Sequence, residues 1–267
     1  MIKKREELKN TGRAVIKVGT STITHENGRL DLRRLSGLSR VICDLVNSGK
    51  EVVLVTSGAI GVGLGKLGMG PNRPDDISQR QALASVGQCE LMFIYDKLFG
   101  EYNHTVSQVL LTEDVIGNEL TRTNVKNTFS QLLKMGVTPI VNENDTVATD
   151  ELEGANIGDN DTLSAYVAKL TDADVLVLIT DKEGLYDKDP SVDSDASIIH
   201  EVNEITPEIE EMAGAPSGTF GTGGMATKIS AAKIAKEAGI PCAIVSGHDP
   251  NNLYRLFDGE EIGTFFV

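Results

Sequence analysis

Short apolar runs alternate along this chain with longer stretches of helical spacing. Arg13-Ala-Val-Ile-Lys-Val18 is a β-branched run that stops at Gly19. From Asp31 onward, apolar residues fall at Leu32, Leu35, Leu38, Ile42, Leu45 and Val46. That spacing predicts a helix with Asp31 as its N-cap and Gly49 as its stop. Glu51-Val-Val-Leu-Val55 reads as a buried strand ending in Thr56-Ser57-Gly58. The same reasoning predicts helices over Ser78–Gly100, Thr121–Met135, Thr162–Leu170 and Met225–Ala238. It predicts further strands over His104–Leu111, Val137–Val141, Asp174–Thr180 and Pro241–Val245. Residues 181–212 are acidic and rich in turn formers, and read as a loop region with at most a hairpin.

Apolar strands alternating with helices mean a mainly parallel sheet covered on both faces. In such sheets ligands gather outside the carboxyl ends of the strands. The polar punctuation of this chain falls at those ends: Lys17 to Ser21, Thr56 to Gly58, Asn142 to Asp145, and Thr180-Asp181. Strand ends need turn residues in any case, which accounts for Gly49 and Gly136. It accounts poorly for Lys17, because an ammonium inside an apolar strand is expensive without a counter-anion.

Composition narrows the class. The 267 residues are 40% hydrophobic and 24% charged, an ordinary globular balance, with no composition shift or repeat. They read as one domain over residues 1–267 with two functional lobes. The formal net charge of -14 argues against a nucleic-acid or anionic-membrane partner, but leaves room for a nucleotide held locally. Cys43, Cys89 and Cys242 fit neither a disulfide framework nor a zinc site. His25, His104, His200 and His248 have no metal-ligand or triad spacing, so no residue is assigned to a protein-bound metal. The first ten residues are charged, without the apolar core of a secretory signal, and no apolar run reaches membrane-spanning length. The expectation is a soluble cytoplasmic protein.

Gly221-Thr-Gly-Gly-Met-Ala-Thr-Lys228 carries the strongest chemical signal. Glycine backbone at the start of a helix offers N–H groups and a positive dipole end to an anion, and Lys228 adds a full charge. The alternative is a loop that merely precedes a helix. The order is not that of a Walker A loop. At the end of the first strand, Lys17 could face the same cleft, and two ammonium groups would stabilise a transferring phosphoryl. Seven carboxylates lie between Glu143 and Asp161 with no Lys or Arg among them. Asp150, Glu151 and Glu153 read as a solvated face. Asp145 and Gly158-Asp159-Asn160-Asp161 bracket the loop, where carboxylates can take an ammonium, orient lysines or help hold magnesium. The Asn160 amide can donate to a substrate carboxylate, and Ser57-Gly58 offers a hydroxyl and backbone N–H groups to another anion.

Six ordered motifs make these parts recognisable: Ile16-Lys-Val-Gly-Thr-Ser21, Val55-Thr-Ser-Gly-Ala-Ile60, Asn142-Glu-Asn-Asp145, Gly158-Asp-Asn-Asp161, Thr180-Asp-x-x-Gly-Leu-Tyr186, and Gly221 to Lys228. In this order the chain resembles the amino acid kinase family. The resemblance implies an α/β fold, a three-layer αβα sandwich around a mostly parallel sheet of about eight strands. It further implies phosphorylation of the γ-carboxylate of L-glutamate by ATP with Mg2+, giving L-glutamyl 5-phosphate in the first step of proline biosynthesis. By motif it places ATP on Lys17, Thr180, Asp181, Thr222, Gly223, Gly224, Met225, Ala226, Thr227 and Lys228. Glutamate falls on Ser57, Asp145 and Asn160. Lys17 and Lys228 become catalytic, with Asp161 orienting both. The N-terminal lobe then serves mainly the amino acid and the C-terminal lobe mainly ATP. Homo-oligomers (dimers or tetramers) and feedback inhibition by proline are implied as well. Many relatives carry a C-terminal PUA domain, which is not expected here because the sequence ends at Val267.

Other acceptors within the same fold are N-acetylglutamate, another amino acid, carbamate or a nucleotide. An acidic acceptor site suits a free ammonium better than an acetylated one. A nicotinamide-dependent oxidoreductase fares worse: Gly58-x-x-Gly61-x-Gly63 follows a strand but breaks the dinucleotide order, and no acidic strand end follows at the required distance. A non-catalytic sensor on the same fold would have no need of Lys17, Asp161 and Lys228.

Overall fold

Each of the six apolar runs forms a strand in the computed structural model, which describes residues 2–25, 27–70, 72–147, 159–190, 192–193, 195–214 and 224–267. A 3-10 helix, Arg5–Asn10, leads into β1, Arg13–Val18. Then come α1 (Thr20–Ile23), α2 (Leu32–Asn47), β2 (Glu51–Val55), α3 (Ala59–Leu67), α4 (Ile77–Gly100) and β3 (Val106–Leu111). The middle of the chain supplies α5 (Glu113–Gly117), α6 (Glu119–Lys134), β4 (Thr138–Glu143), α7 (Asn160–Leu170) and β5 (Val175–Thr180). The last part holds β6 (Glu201–Val202), α8 (Pro207–Met212), α9 (Met225–Glu237), β7 (Cys242–Ser246), α10 (Asn252–Phe257) and β8 (Thr264–Phe266).

The strands form one eight-stranded sheet in the order β3-β4-β2-β1-β5-β7-β8-β6. All described pairings are parallel except β7 with β8. β1 runs between β2 and β5, and its alternating side chains feed two cores. Ile16 and Val18 pack on one face with Leu35, Ile42 and Tyr95 of α2 and α4. Val15 packs on the other with Phe129, Val167 and Ala231 of α6, α7 and α9. Helices therefore cover both faces, the expected three layers. Side chains two residues apart share a face of a strand, so Lys17 follows Val15 toward α7 and α9. Among the described residues no helix is long and apolar enough to cross a membrane.

Helix starts follow local chemistry. Asp31 caps α2 by accepting from the Arg34 amide at 3.0 Å, as its position suggested. Asp76 caps α4 through the Gln79 amide at 2.7 Å. The expectation for residues 181–212 needs correction. A bridge between Tyr186 and Ile198 closes a hairpin-like loop, but β6 then pairs with β8 and α8 follows. Pro207 at the first turn of α8 supplies a φ already suited to a helix.

Helices α3 and α4 cross with their backbones almost touching. A Cβ added to Gly87 would stand 1.8 Å from the Ala59 carbonyl oxygen and 2.6 Å from the Gly63 nitrogen. Neither backbone atom can rotate away. Gly87→Ala is expected to destabilise the fold by about 3 kcal/mol, the upper range for overpacking. For a chain of this size that lowers the melting temperature by roughly 6–12 °C. A calorimetric scan of the variant checks this, and an unchanged midpoint would show that the crossing yields.

Candidate active site

Two helices start beneath the carboxyl end of β1. At the first, Asp159 caps α7: its Oδ1 accepts from the amides of Asp161 and Thr162 at 2.7 and 3.0 Å. That cap fixes the first turn of α7 and holds Asp161 at full burial, 0% exposed. At the second, α9 begins at Met225 and places Thr227 and Lys228 in its first turn.

The face of β1 that carries Lys17 looks onto both helix starts. Lys17 Nζ lies 2.6 Å from Asp161 Oδ1, and Lys228 Nζ lies 3.1 Å from Oδ2. The Thr227 hydroxyl donates to the same Oδ2 at 2.7 Å. Lys228 also donates to the Gly224 carbonyl at 3.3 Å. Lys17 and Lys228 are 5% and 6% exposed. Two buried ammonium groups thus face one buried carboxylate; the half-buried Asp159 carboxylate also acts on Lys17, but more weakly, so within the buried cluster itself positive charge is in excess. A buried charge excess is costly unless something pairs with it. The arrangement favours an incoming anion.

Titration reflects that balance. Burial pushes the Asp161 carboxyl up, but Lys17 and Lys228 together outweigh it and hold the group below its ordinary value. Burial lowers Lys17, Asp161 opposes the shift and Lys228 adds to it.

On one side of Lys228 opens a cleft of about 410 Å³ whose walls include Thr180, Asp181, Tyr186, Gly224 and Met225. Its residues come from the carboxyl end of β5, the following loop, the end of α8 and the start of α9. Thr180 donates its hydroxyl to Asp181 Oδ1 at 3.1 Å. Ala226 lies half-buried within the first turn of α9. Thr222 and Gly223 lie outside the described residues, as do Asp150, Glu151, Glu153 and Gly158.

Adjoining Asp161 along the chain is a group of amides. Asn160 donates through Nδ2 to Asn142 Oδ1 at 3.1 Å, so one of its N–H bonds is already engaged. Asn142 in turn donates to Gln88 Oε1 at 2.8 Å. Asp145 is half-buried in the turn after β4. The Ser57 hydroxyl donates to the Val18 carbonyl at 3.0 Å, tying the end of β2 to the end of β1. Gly58 follows at φ 96°, in the left-handed region open to glycine, and turns the chain into α3. Behind it Tyr95, fully buried, exchanges a 3.0 Å hydrogen bond with the Thr56 hydroxyl.

Sequence reasoning missed Gln88. A glutamine inside a long helix carries no signal that it meets a strand end 54 residues away.

Known proteins resemble this chain in sequence and in fold. The sequence profile of the Amino acid kinase family matches residues 12–246. Curated relatives include a glutamate 5-kinase of Clostridium perfringens, 54% identical over 98% of this chain and 98% of that protein. A glutamate 5-kinase of Listeria monocytogenes is 53% identical, over 98% of this chain and 95% of its own length. One from Moorella thermoacetica is 49% identical over 98% of this chain but 68% of that protein. Among solved structures, the isopentenyl phosphate kinase of T. acidophilum superposes at TM-score 0.66 over 96% of this chain and 100% of the other, at 15% identity. The UMP kinase of Bacillus anthracis gives 0.65 over 96% of each chain, also at 15% identity, a likeness of fold alone. Family profile, full-length relatives and fold agree, and the chain belongs to the amino acid kinase family.

Proposed function

We propose that this protein transfers the γ-phosphoryl group of ATP to the side-chain carboxylate of L-glutamate, forming L-glutamyl 5-phosphate, the first step of proline biosynthesis. The observation that carries the reading is the Lys17–Asp161–Lys228 cluster, with a cleft of nucleotide size at Lys228 and a group of amides adjoining Asp161. Its excess positive charge suits a phosphoryl group whose negative charge is spread over three oxygens. Relatives at about half identity over nearly their whole length bear the name of this activity.

In this mechanism Thr180, Asp181, Gly224 and Met225 hold the nucleotide, with Thr222, Gly223, Ala226 and Thr227 completing the phosphate loop. Ser57, Asp145 and Asn160 hold glutamate, Asp145 taking its ammonium. The N-terminal lobe thus serves mainly the amino acid and the C-terminal lobe mainly ATP. The γ-carboxylate is ionised at neutral pH, with a reference pKa of about 4.3, so no general base is required. A carboxylate oxygen bonds to the γ-phosphorus as the bond to the β,γ-bridging oxygen breaks, and ADP leaves. Lys17 and Lys228 neutralise the transferring group from two sides, and Asp161 keeps both aimed at it.

Mg2+ fits as a partner of the nucleotide. Among the described residues no three His, Cys, Asp or Glu side chains cluster to hold a metal, and both oxygens of Asp161 already face cations. The ion would ride mainly on phosphate oxygens, as Mg2+ usually does, and neutralise their charge. Assembly into dimers or tetramers, inhibition by proline and a cytoplasmic location belong to the same reading. Exposed Leu67, Met69 and Phe93 on and beside α3 and α4 give an assembly interface apolar surface to bury.

ADP release with Mg2+-ATP tests the substrate. Glutamate is expected to exceed N-acetylglutamate in kcat/KM on the order of 10²-fold or more, because the acetyl compound leaves buried acceptors unpaired. A preference for the acetylated compound would overturn the substrate assignment. Asp145→Ala is expected to raise the glutamate KM about tenfold or more, a loss near 1.4 kcal/mol, with the ATP KM little changed. Equal effects on both constants would remove Asp145 from the acceptor site.

A further inference from the structure

Three amides from three elements form a directed chain whose polarity is fixed by backbone. Asn142 Oδ1 accepts from the Glu143 amide at 2.9 Å, and a backbone N–H can only donate. The Asn142 amide group therefore has one orientation. Its Nδ2 must then point at Gln88 Oε1, and its Oδ1 must also accept from Asn160 Nδ2. Asn142 and Gln88 are 1% and 8% exposed.

Both ends of this chain are open. Gln88 Nε2 and Asn160 Oδ1 are buried and have no hydrogen-bond partner among the described residues. Buried polar atoms in packed cores are nearly always paired, and an orphan of each sign in one network marks a place prepared for a ligand. The acceptor end sits beside Asp161. An acceptor there suits a cationic head group, and a free amino acid brings an α-ammonium.

We infer that Gln88 is a positioning residue that makes the acceptor site selective for an amino acid over the same dicarboxylate without its amino group. This inference rests on the function proposed above. Gln88 Oε1 holds Asn142, Asn142 engages the Asn160 N–H, and the Asn160 carbonyl is left presented to the substrate ammonium. Without the Gln88 acceptor, Asn142 Nδ2 loses its partner. The Glu143 amide still fixes which way the Asn142 amide faces, but the Asn142 side chain is then held at one end only, and the Asn160 carbonyl it positions is presented less precisely to the ammonium.

The test compares L-glutamate with glutarate, the same dicarboxylate lacking the ammonium. Wild type is expected to prefer glutamate on the order of 10²-fold in kcat/KM, as sites built around a hydrogen-bonding group do. Gln88→Met keeps the length of the side chain and removes its acceptor. It is expected to shrink the preference about tenfold, chiefly through the glutamate KM, with the ATP KM within about twofold. A purely structural role would lower both acceptors and ATP together, and that result overturns the inference. So does an unchanged ratio. Gln88→Glu retains an acceptor oxygen and is expected to keep the ratio within about threefold of wild type; its collapse there also overturns the inference, even if the Met variant fails to fold. Wild type that phosphorylates neither compound would instead refute the parent function.

Discussion

Lys228→Ala is expected to reduce glutamate-dependent ADP release about 10²- to 10³-fold in kcat, while leaving a folded protein. The magnitude is that of removing one preorganised donor from a developing anionic centre, about 2.7–4 kcal/mol. Stability is expected to move little, because of charge arithmetic. Lys17 and Asp161 remain as a balanced pair 2.6 Å apart once the second ammonium is gone. The excess charge, not the pair, is what the variant deletes. Initial rates at saturating glutamate and ATP, with a melting curve alongside, check both halves. Unaffected ADP release would remove Lys228 from the chemistry. A large loss of stability would show that the excess charge is compensated within the protein.

Asp161→Asn should behave in the opposite way, losing activity and fold together. It leaves Lys17 and Lys228 buried without a counter-charge. Removing one partner of a buried ion pair costs about 3–5 kcal/mol, which for a chain of this size is roughly 6–20 °C in melting temperature. The pH dependence should change as well. The folded protein holds this carboxyl below its ordinary value of 3.8. Its contribution is therefore complete above that value and is lost as pH falls through the folded-state value. The Asn variant lacks that acid-side loss. Saturating ATP should recover part of the deficit, since its phosphates bring the missing negative charge. A variant that melts with wild type would refute the counter-ion role of Asp161.

Much of this site is legible in the sequence. Lys17 stood out because an ammonium in the run Ala-Val-Ile-Lys-Val conflicts with its neighbours, and the structure places it on Asp161. Lys228 stood out because glycines precede it at a helix start. Period-two alternation, which turns Lys17 toward α7 and α9, was available in principle. Which helices lie on that face was not.

The failures share a cause. Helix α3 contains Gly61, Gly63 and Gly65, each unfavourable in a helix by about 1 kcal/mol, and packing against α4 overrides that preference. β8 and α10 span three and six residues, too short for periodicity to register. Gln88 became significant only when α4 brought it to Asn142, a tertiary event with no local trace.

The parity of β1 has one more consequence. Lys17 pairs with Val55 on one neighbour and Leu178 on the other. Inserting a single residue ahead of Lys17 within this strand would preserve its apolar character yet swing the ammonium to the α2–α4 side. There it would meet Ile23, Leu35 and Tyr95 rather than a carboxylate. A chain threaded wrongly through its central strand is thus both unstable and inert, and turnover itself reports that the sheet was assembled in the right frame.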